Sequence, residues 1–110
     1  MKTAKRKKLE AAGWQVGTAS ELLGLSREEA ELVELRLVLA RGLRLRREAK
    51  HLTQERLAKL IGSSQSRVAK MEAADSTVAF DLLLRSLVAT GATRRELAKI
   101  IQRSPSSSAA

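Results

Sequence analysis

The residues best suited to chemistry in this chain lie between positions 64 and 72. Val68 and Met71 are spaced so that a helix would bury them, while the polar side chains between them would share the exposed face. Glutamine offers a hydrogen-bond donor beside an acceptor, and arginine and lysine offer positive charge, so these groups suit base edges and phosphates. The exposed polar set, which Ser64 precedes as a cap, comprises Gln65, Ser66, Arg67 and Lys70.

A second short helix must position this one. Thr53 can cap a helix that runs to about residue 61, and Gly62 then stands where the chain turns sharply, because a residue without Cβ costs least there. Ala58, Gly62 and Val68 are four and then six residues apart, a spacing that allows two helices to cross tightly. The pattern predicts a DNA-binding helix-turn-helix, with an ordinary αα-hairpin as the alternative interpretation.

The charge of the chain favours a polyanionic partner. It has 110 residues, enough for one small domain, and 21 Lys and Arg against 12 Asp and Glu give a net charge of +9. The charge is uneven: +5 over residues 1–8, −5 over residues 9–35 and +9 over residues 36–110. Surfaces of opposite sign predict two kinds of contact.

Several classes of protein are disfavoured by composition. The chain has no Cys and a single His, which disfavours a disulfide framework and a metal cluster, so we expect no cofactor and no metal. We find no carboxylate pair in a plausible cleft, no nucleophile beside a base and no phosphate-binding glycine loop, and so expect no catalytic residue and no enzyme. No apolar run approaches the roughly 20 residues of a membrane span. We expect a cytoplasmic protein without a membrane partner.

Capping signals and helical periodicity predict an all-α fold. Ser26-x-x-Glu29 is a capping box that opens a long helix to about residue 50, with Leu32, Leu35, Leu39 and Leu43 on one buried stripe. Further helices are predicted over 79–90 and from 93 to about 102, the last opened by a second such box. The predicted organisation is a disordered basic tail at 1–8, an N-terminal extension with the start of the long helix at 9–35, a helix-turn-helix DNA-binding domain at 36–103, and a disordered tail at 104–110.

The motif LTQxxLAxxIGSSQSxVxxME, from Leu52 to Glu72, resembles the Xre-type helix-turn-helix domain of phage repressors, Cro proteins and many bacterial regulators. Extended back through EEAELVELRL and LLGLS to the GWQVG stretch, and including SSQSRVAKMEA and GATRREL, the chain is similar to the HigA-type antitoxins. The resemblance implies a compact five-helix phage-repressor-like domain with a short N-terminal helical extension. It also implies a homodimer that represses its own operon at a double-stranded DNA operator and binds a RelE- or HigB-like ribonuclease toxin.

The resemblance also assigns roles to single residues. Gln54 would anchor to a phosphate, and Arg47 and Glu72 match a family pair that forms a partly buried ion pair; for Arg47 one more phosphate contact is the alternative. The residues that would reach base edges or phosphates, or attract DNA by charge, are Ser64, Gln65, Ser66, Arg67 and Lys70.

Four positions depart from the family pattern. His51 stands where glycine is usual, so we expect it to adopt a positive φ, which His tolerates better than most residues. Ala74 also replaces glycine, and the helix before it should end less sharply or run on. Ala79 replaces a capping serine, a loss of roughly 1 kcal/mol unless Thr77 substitutes. Arg46 occupies a usually apolar position and should snorkel to solvent.

The acidic N-terminal part is the candidate surface for a protein partner. Trp14 is expected to dock the N-terminal segment on the core, with an anchor for a partner as the alternative, and Glu21, Glu28 and Glu29 are the candidate acidic contacts. The KRKK run is either a solvated tail or an arm that follows DNA. Three functions stay open: a repressor that is also an antitoxin, a solitary phage-type regulator, and a protein-interaction module that uses the fold as a scaffold.

Overall fold

The computed structural model describes residues 24–103, which contain five α-helices and no strand. Residues 36–103 form one compact unit, and the described residues before it, 24–35, belong to another. The all-α helix-turn-helix prediction is confirmed. Trp14, Glu21 and both predicted tails lie outside the described residues, and the predicted division into domains stays a prediction. The helices are α1 (Arg27–Ala49), α2 (Gln54–Ile61), α3 (Gln65–Glu72), α4 (Phe80–Ala89) and α5 (Arg94–Gln102).

The long helix α1 has the ends that its sequence predicts. The Ser26 hydroxyl accepts a hydrogen bond from the Glu29 N–H at 3.1 Å, and the Glu29 carboxylate accepts one from the Ser26 N–H at 3.0 Å, so the capping box forms. Beyond its last turn, His51 adopts a φ of 56°, and the Leu52 N–H donates to the Arg47 carbonyl at 3.0 Å. The positive φ predicted for His51 is confirmed.

Large apolar side chains from all five helices meet in the core of the unit 36–103, with Ile100 as the contribution of α5. The stripe predicted on α1 is only partly correct, because Leu32 is half exposed. On α4, Leu84 and Val88 also lie at the surface, one position round the helix from the buried Leu83 and Leu87. Periodicity identifies the apolar face of a helix but does not decide how wide a strip its neighbours cover. The largest fully buried side chains are Leu39, Leu43, Leu57, Val68, Met71, Leu83 and Leu87.

The turn between α2 and α3 closes as the sequence predicts. Gly62 ends α2 with a φ of 65°, and the Ser63 N–H donates to the Ala58 carbonyl at 2.8 Å. The Thr53 hydroxyl caps α2 by accepting the Arg56 N–H at 3.1 Å, and the Ser64 hydroxyl caps α3 by accepting the Arg67 N–H at 3.2 Å. Each helix is therefore fixed at its N-terminus by its own cap and at the shared turn by the left-handed glycine.

Candidate nucleic-acid interface

Helix α3 separates into a fully buried face and an exposed polar face. Val68 and Met71 are inaccessible to solvent, and the four polar residues on the other side are exposed. Within residues 24–103, no hydrogen bond or salt bridge engages the side chains of Ser66, Arg67 or Lys70, so their donors are available to a ligand. The exposed residues are Gln65, Ser66, Arg67 and Lys70.

A chain of side-chain hydrogen bonds runs from the buried end of α3 to its exposed start. The Glu72 carboxylate accepts two bonds from the Arg47 guanidinium, Nε to Oε2 at 2.5 Å and Nη2 to Oε1 at 3.0 Å. The Gln54 amide nitrogen donates to the same Glu72 Oε1 at 3.1 Å, and the Gln54 carbonyl oxygen accepts from the Gln65 amide at 2.7 Å. The Arg47–Glu72 ion pair therefore orients the Gln54 amide, and the Gln54 amide in turn orients the side chain of Gln65.

The Arg47–Glu72 pair is largely shielded from water. The side chains are 13% and 6% exposed, and a third nitrogen of Arg47 donates to the Leu52 carbonyl at 2.7 Å. The hydrogen bonds to Glu72 are the main cause that raises the pKa of Arg47, so the guanidinium stays charged. The two residues that the sequence analysis paired therefore join the end of α1 to the end of α3. Three of the five N–H groups of Arg47 are thus bonded inside the protein, one from each nitrogen.

Gln54 is positioned differently from an isolated phosphate anchor. Both ends of its side chain are bonded inside the protein, to Glu72 and to Gln65, and one amide hydrogen is left over. That hydrogen is available to a phosphate, while the two bonded ends of the side chain connect α2 to α3. Its predicted phosphate contact stays a prediction, as do the base contacts of the α3 residues.

The segment after α3, residues 73–79, corrects the expectation for Ala74 and bears out the one for Ala79. Helix α3 ends sharply, because Ala74 adopts a φ of 57° and the Asp75 N–H returns to the Lys70 carbonyl at 3.0 Å. The expectation that the alanine would weaken this stop was wrong: the closing hydrogen bond holds it in the left-handed conformation. Ala79 gives α4 no side-chain cap. Thr77 does not substitute, since its hydroxyl donates to Asp75 Oδ1 at 2.6 Å, a contact that lowers the pKa of Asp75.

Arg46 was expected to snorkel, and this was wrong. Its side chain is 20% exposed and binds three acceptors: Thr90 Oγ1 at 2.9 Å, the Thr90 carbonyl at 3.2 Å and Glu96 Oε2 at 2.8 Å. Glu96 also completes the capping box of α5 with Thr93. The Thr93 backbone N–H is the main cause that lowers the pKa of Glu96, and Arg46 lowers it further. The arginine is thus part of a junction between α1, α4 and α5.

Arg36 was missed by the sequence analysis. Its Nη1 donates to the carbonyls of Asp75, at 3.1 Å, and Val78, and its guanidinium carbon lies 4.4 Å from the centre of the Phe80 ring. These partners are 39 to 44 positions further along the chain, and no local pattern indicates them. The arginine therefore holds the segment 73–79 against α1.

The candidate partner surface is only partly described. Glu28 is exposed in the first turn of α1, whereas the Glu29 carboxylate is bonded to the Ser26 N–H. That backbone hydrogen bond is the main cause that lowers the pKa of Glu29. Glu28 is thus the freer of the two predicted contacts in this turn, and Trp14 and Glu21 lie outside the described residues.

Comparison with known proteins finds one match. The model of a family described as helix-turn-helix matches residues 43–97, half of the chain, from the second half of α1 to the start of α5. No curated protein and no solved structure matches the chain. Over residues 24–103, none of the helices has the length and apolar character to cross a membrane.

Proposed function

The chain belongs to the helix-turn-helix family, whose domain binds DNA, and from this premise we propose that it is a sequence-specific transcriptional repressor. It binds a double-stranded operator as a homodimer in the cytoplasm. Ser64, Gln65, Ser66, Arg67 and Lys70 contact base edges and phosphates from α3.

One observation carries this proposal: α3 buries one face completely and presents unbonded cationic and polar groups on the other. A helix used only as a scaffold has no need of such groups. Gln65 is held by Gln54 yet retains its own carbonyl oxygen and one amide hydrogen, the pair that binds adenine in the major groove. Arg67, without a partner in the described residues, can bind guanine or a phosphate.

Binding to DNA is tested first with duplexes that the purified protein selects from a random pool. Affinity should fall with salt at a log–log slope near −0.9 for each phosphate neutralised. Gln65→Ala and Arg67→Ala should each lose about 1–3 kcal/mol of discrimination at particular base pairs. Arg44→Ala, on the exposed surface of α1, is the control for loss of charge. If affinity does not change with salt, or if the protein selects no sequence from the pool, the repressor proposal is contradicted and a protein-interaction module that uses the fold as a scaffold is favoured.

We further propose that the repressor is the antitoxin of a type II toxin–antitoxin pair. Support comes from the resemblance to the HigA-type antitoxins and from the charge of −5 over residues 9–35. A ribonuclease toxin is basic, and opposite charge increases its association rate. Since the toxin must be bound while the same dimer occupies DNA, its site lies away from α3. Trp14, Glu21, Glu28 and Glu29 are the proposed contacts.

The antitoxin proposal is tested by reversing charge on α1. Glu28→Lys with Glu31→Lys should abolish neutralisation of a basic ribonuclease encoded beside this gene without lowering affinity for duplex DNA or changing the base pairs it prefers. Both side chains are exposed, and Glu29 is kept because its carboxylate takes part in the cap. Glu48→Lys on the basic half of the same helix is the matched control. Absence of a neighbouring ribonuclease gene would favour the solitary regulator.

A further inference from the structure

Arg36 connects α1 to the segment that leaves α3. We call residues 73–79 the α3–α4 loop. Nη1 of the guanidinium donates to two carbonyls of this loop, those of Asp75 and Val78, and the guanidinium stacks on Phe80, the first residue of α4. Arg36 lies outside residues 43–97, the part that matches the family model. The family match therefore does not account for this contact.

The α3–α4 loop has weak support of its own. Ala74 is held at a φ of 57°, a conformation that costs a side chain with Cβ free energy, and Ala79 provides no cap for α4. Its internal bonds are the turn from the Val78 N–H to the Asp75 carbonyl and the contacts of Thr77 with Asp75. Besides the bonds of its first residues to the end of α3, the loop thus receives side-chain hydrogen bonds from Arg36 of α1.

The loop and α4 form one side of a cationic groove whose other side is α3. Arg67 and Lys70 line it from α3, and Arg85 lines it from α4. No hydrogen bond or salt bridge within residues 24–103 engages these three cations. Asp81 is the one carboxylate among the lining residues, and hydroxyls of Ser64, Ser66 and Thr77 complete the polar lining. Three cations facing one carboxylate suit a polyanionic strand.

We propose that Arg36 is a positioning residue for DNA binding. By fixing the α3–α4 loop it holds Arg85 across the groove from Arg67, so that both cations contact backbone phosphates of one strand. Arg36 itself does not touch the DNA. The inference rests on the proposed DNA binding and names a further phosphate contact, Arg85, with the residue that holds it in place.

The proposal is tested by the salt dependence of binding to a random-sequence duplex of about 30 base pairs, measured by fluorescence anisotropy. Arg85→Gln should reduce the slope by about 0.9, which changes affinity relative to the wild type by about 3.5-fold between 50 and 200 mM salt. Arg36→Met should reduce the slope by a similar amount. In the double variant the effects should not add, because Arg85 is already displaced. Arg44→Met, which removes one charge from the same helix without touching the loop, should leave the slope unchanged.

The outcomes separate this inference from the proposed function. If the wild type shows no salt-dependent binding, the proposed DNA binding fails. If the wild type binds and Arg36→Met lowers only the melting temperature, with the slope and the effect of Arg85→Gln unchanged, Arg36 stabilises the fold and the inference is overturned.

A second measurement applies if Arg36→Met does not fold. Lysine keeps the charge but lacks the planar guanidinium, which binds the two carbonyls while it stacks on Phe80. Arg36→Lys should therefore reduce the salt slope by less than Arg36→Met does. In the wild-type protein, the amides of residues 75–80 should exchange more slowly when the duplex is bound. Unchanged exchange there would overturn the inference independently of any variant.

Discussion

Glu72 accepts hydrogen bonds from two nitrogens of Arg47, at 2.5 and 3.0 Å, while its own side chain is only 6% exposed. The pair joins the last turn of α1 to the last turn of α3. The same carboxylate oxygen that binds Arg47 Nη2 also accepts the Gln54 amide. The ion pair thereby stabilises the domain and orients the polar residues at the start of α3.

Breaking this pair should be costly. Glu72→Gln leaves a shielded arginine without its counter-charge, and we expect a loss of about 3 kcal/mol in the free energy of unfolding, measured with urea. The control is Glu48→Gln, which breaks the exposed Arg44–Glu48 pair on α1. That change should cost no more than about 0.5 kcal/mol. Equal effects of the two substitutions would contradict the assignment of Glu72 to a shielded pair.

The missing cap of α4 can be restored. Ala79 has an extended backbone at the N-cap position and offers no side-chain acceptor. Ala79→Ser should place a hydroxyl where it can accept an N–H of the first turn and raise the free energy of unfolding by about 1 kcal/mol. Thr93→Ala, which removes an existing cap from α5, should have an effect of opposite sign. If Ala79→Ser leaves the free energy of unfolding unchanged or lowers it, the start of α4 is fixed by other contacts.

Two left-handed positions should respond in opposite directions. Ala74 has a φ of 57° with a Cβ, and Gly62 has a φ of 65° without one. Ala74→Gly should stabilise the domain by about 1 kcal/mol, and Gly62→Ala should destabilise it by a similar amount. A Cβ at Gly62 would meet no atom within 4 Å, so its cost is that of the backbone alone. Thermal melting of the two variants checks both signs.

Acid should weaken the junction at Glu96. Its pKa is lowered from an ordinary value of 4.5, mainly by the Thr93 N–H and further by Arg46. Because the folded pKa is the lower one, the stabilisation is complete above the unfolded pKa and is lost as pH falls through the folded pKa. Glu96→Gln keeps an acceptor for the capping box but has no titratable charge. Below about pH 4.5 the melting temperature of the variant should therefore fall less than that of the wild type. Parallel curves for the wild type and the variant would contradict this.

The sequence by itself determined the features that depend on neighbours along the chain. The capping boxes at Ser26 and Thr93, the caps at Thr53 and Ser64, and the left-handed Gly62 all involve residues a few positions apart. Such interactions are governed by local backbone geometry, and the same residue types satisfy them in any protein. The helix boundaries and the helix-turn-helix spacing follow from these signals together with the apolar period.

Only the tertiary structure decided which side chains are covered and which distant groups meet. Leu32, Leu84 and Val88 fit an apolar stripe but lie at the surface, because coverage depends on where neighbouring helices cross. Arg36 binds carbonyls 39 and 42 positions away, and Arg46 binds groups 44 and 50 positions away. A single sequence does not indicate which residues so far apart along the chain come into contact. They arise when helices that are each specified locally pack around one core, and they determine the orientation of the exposed polar face of α3.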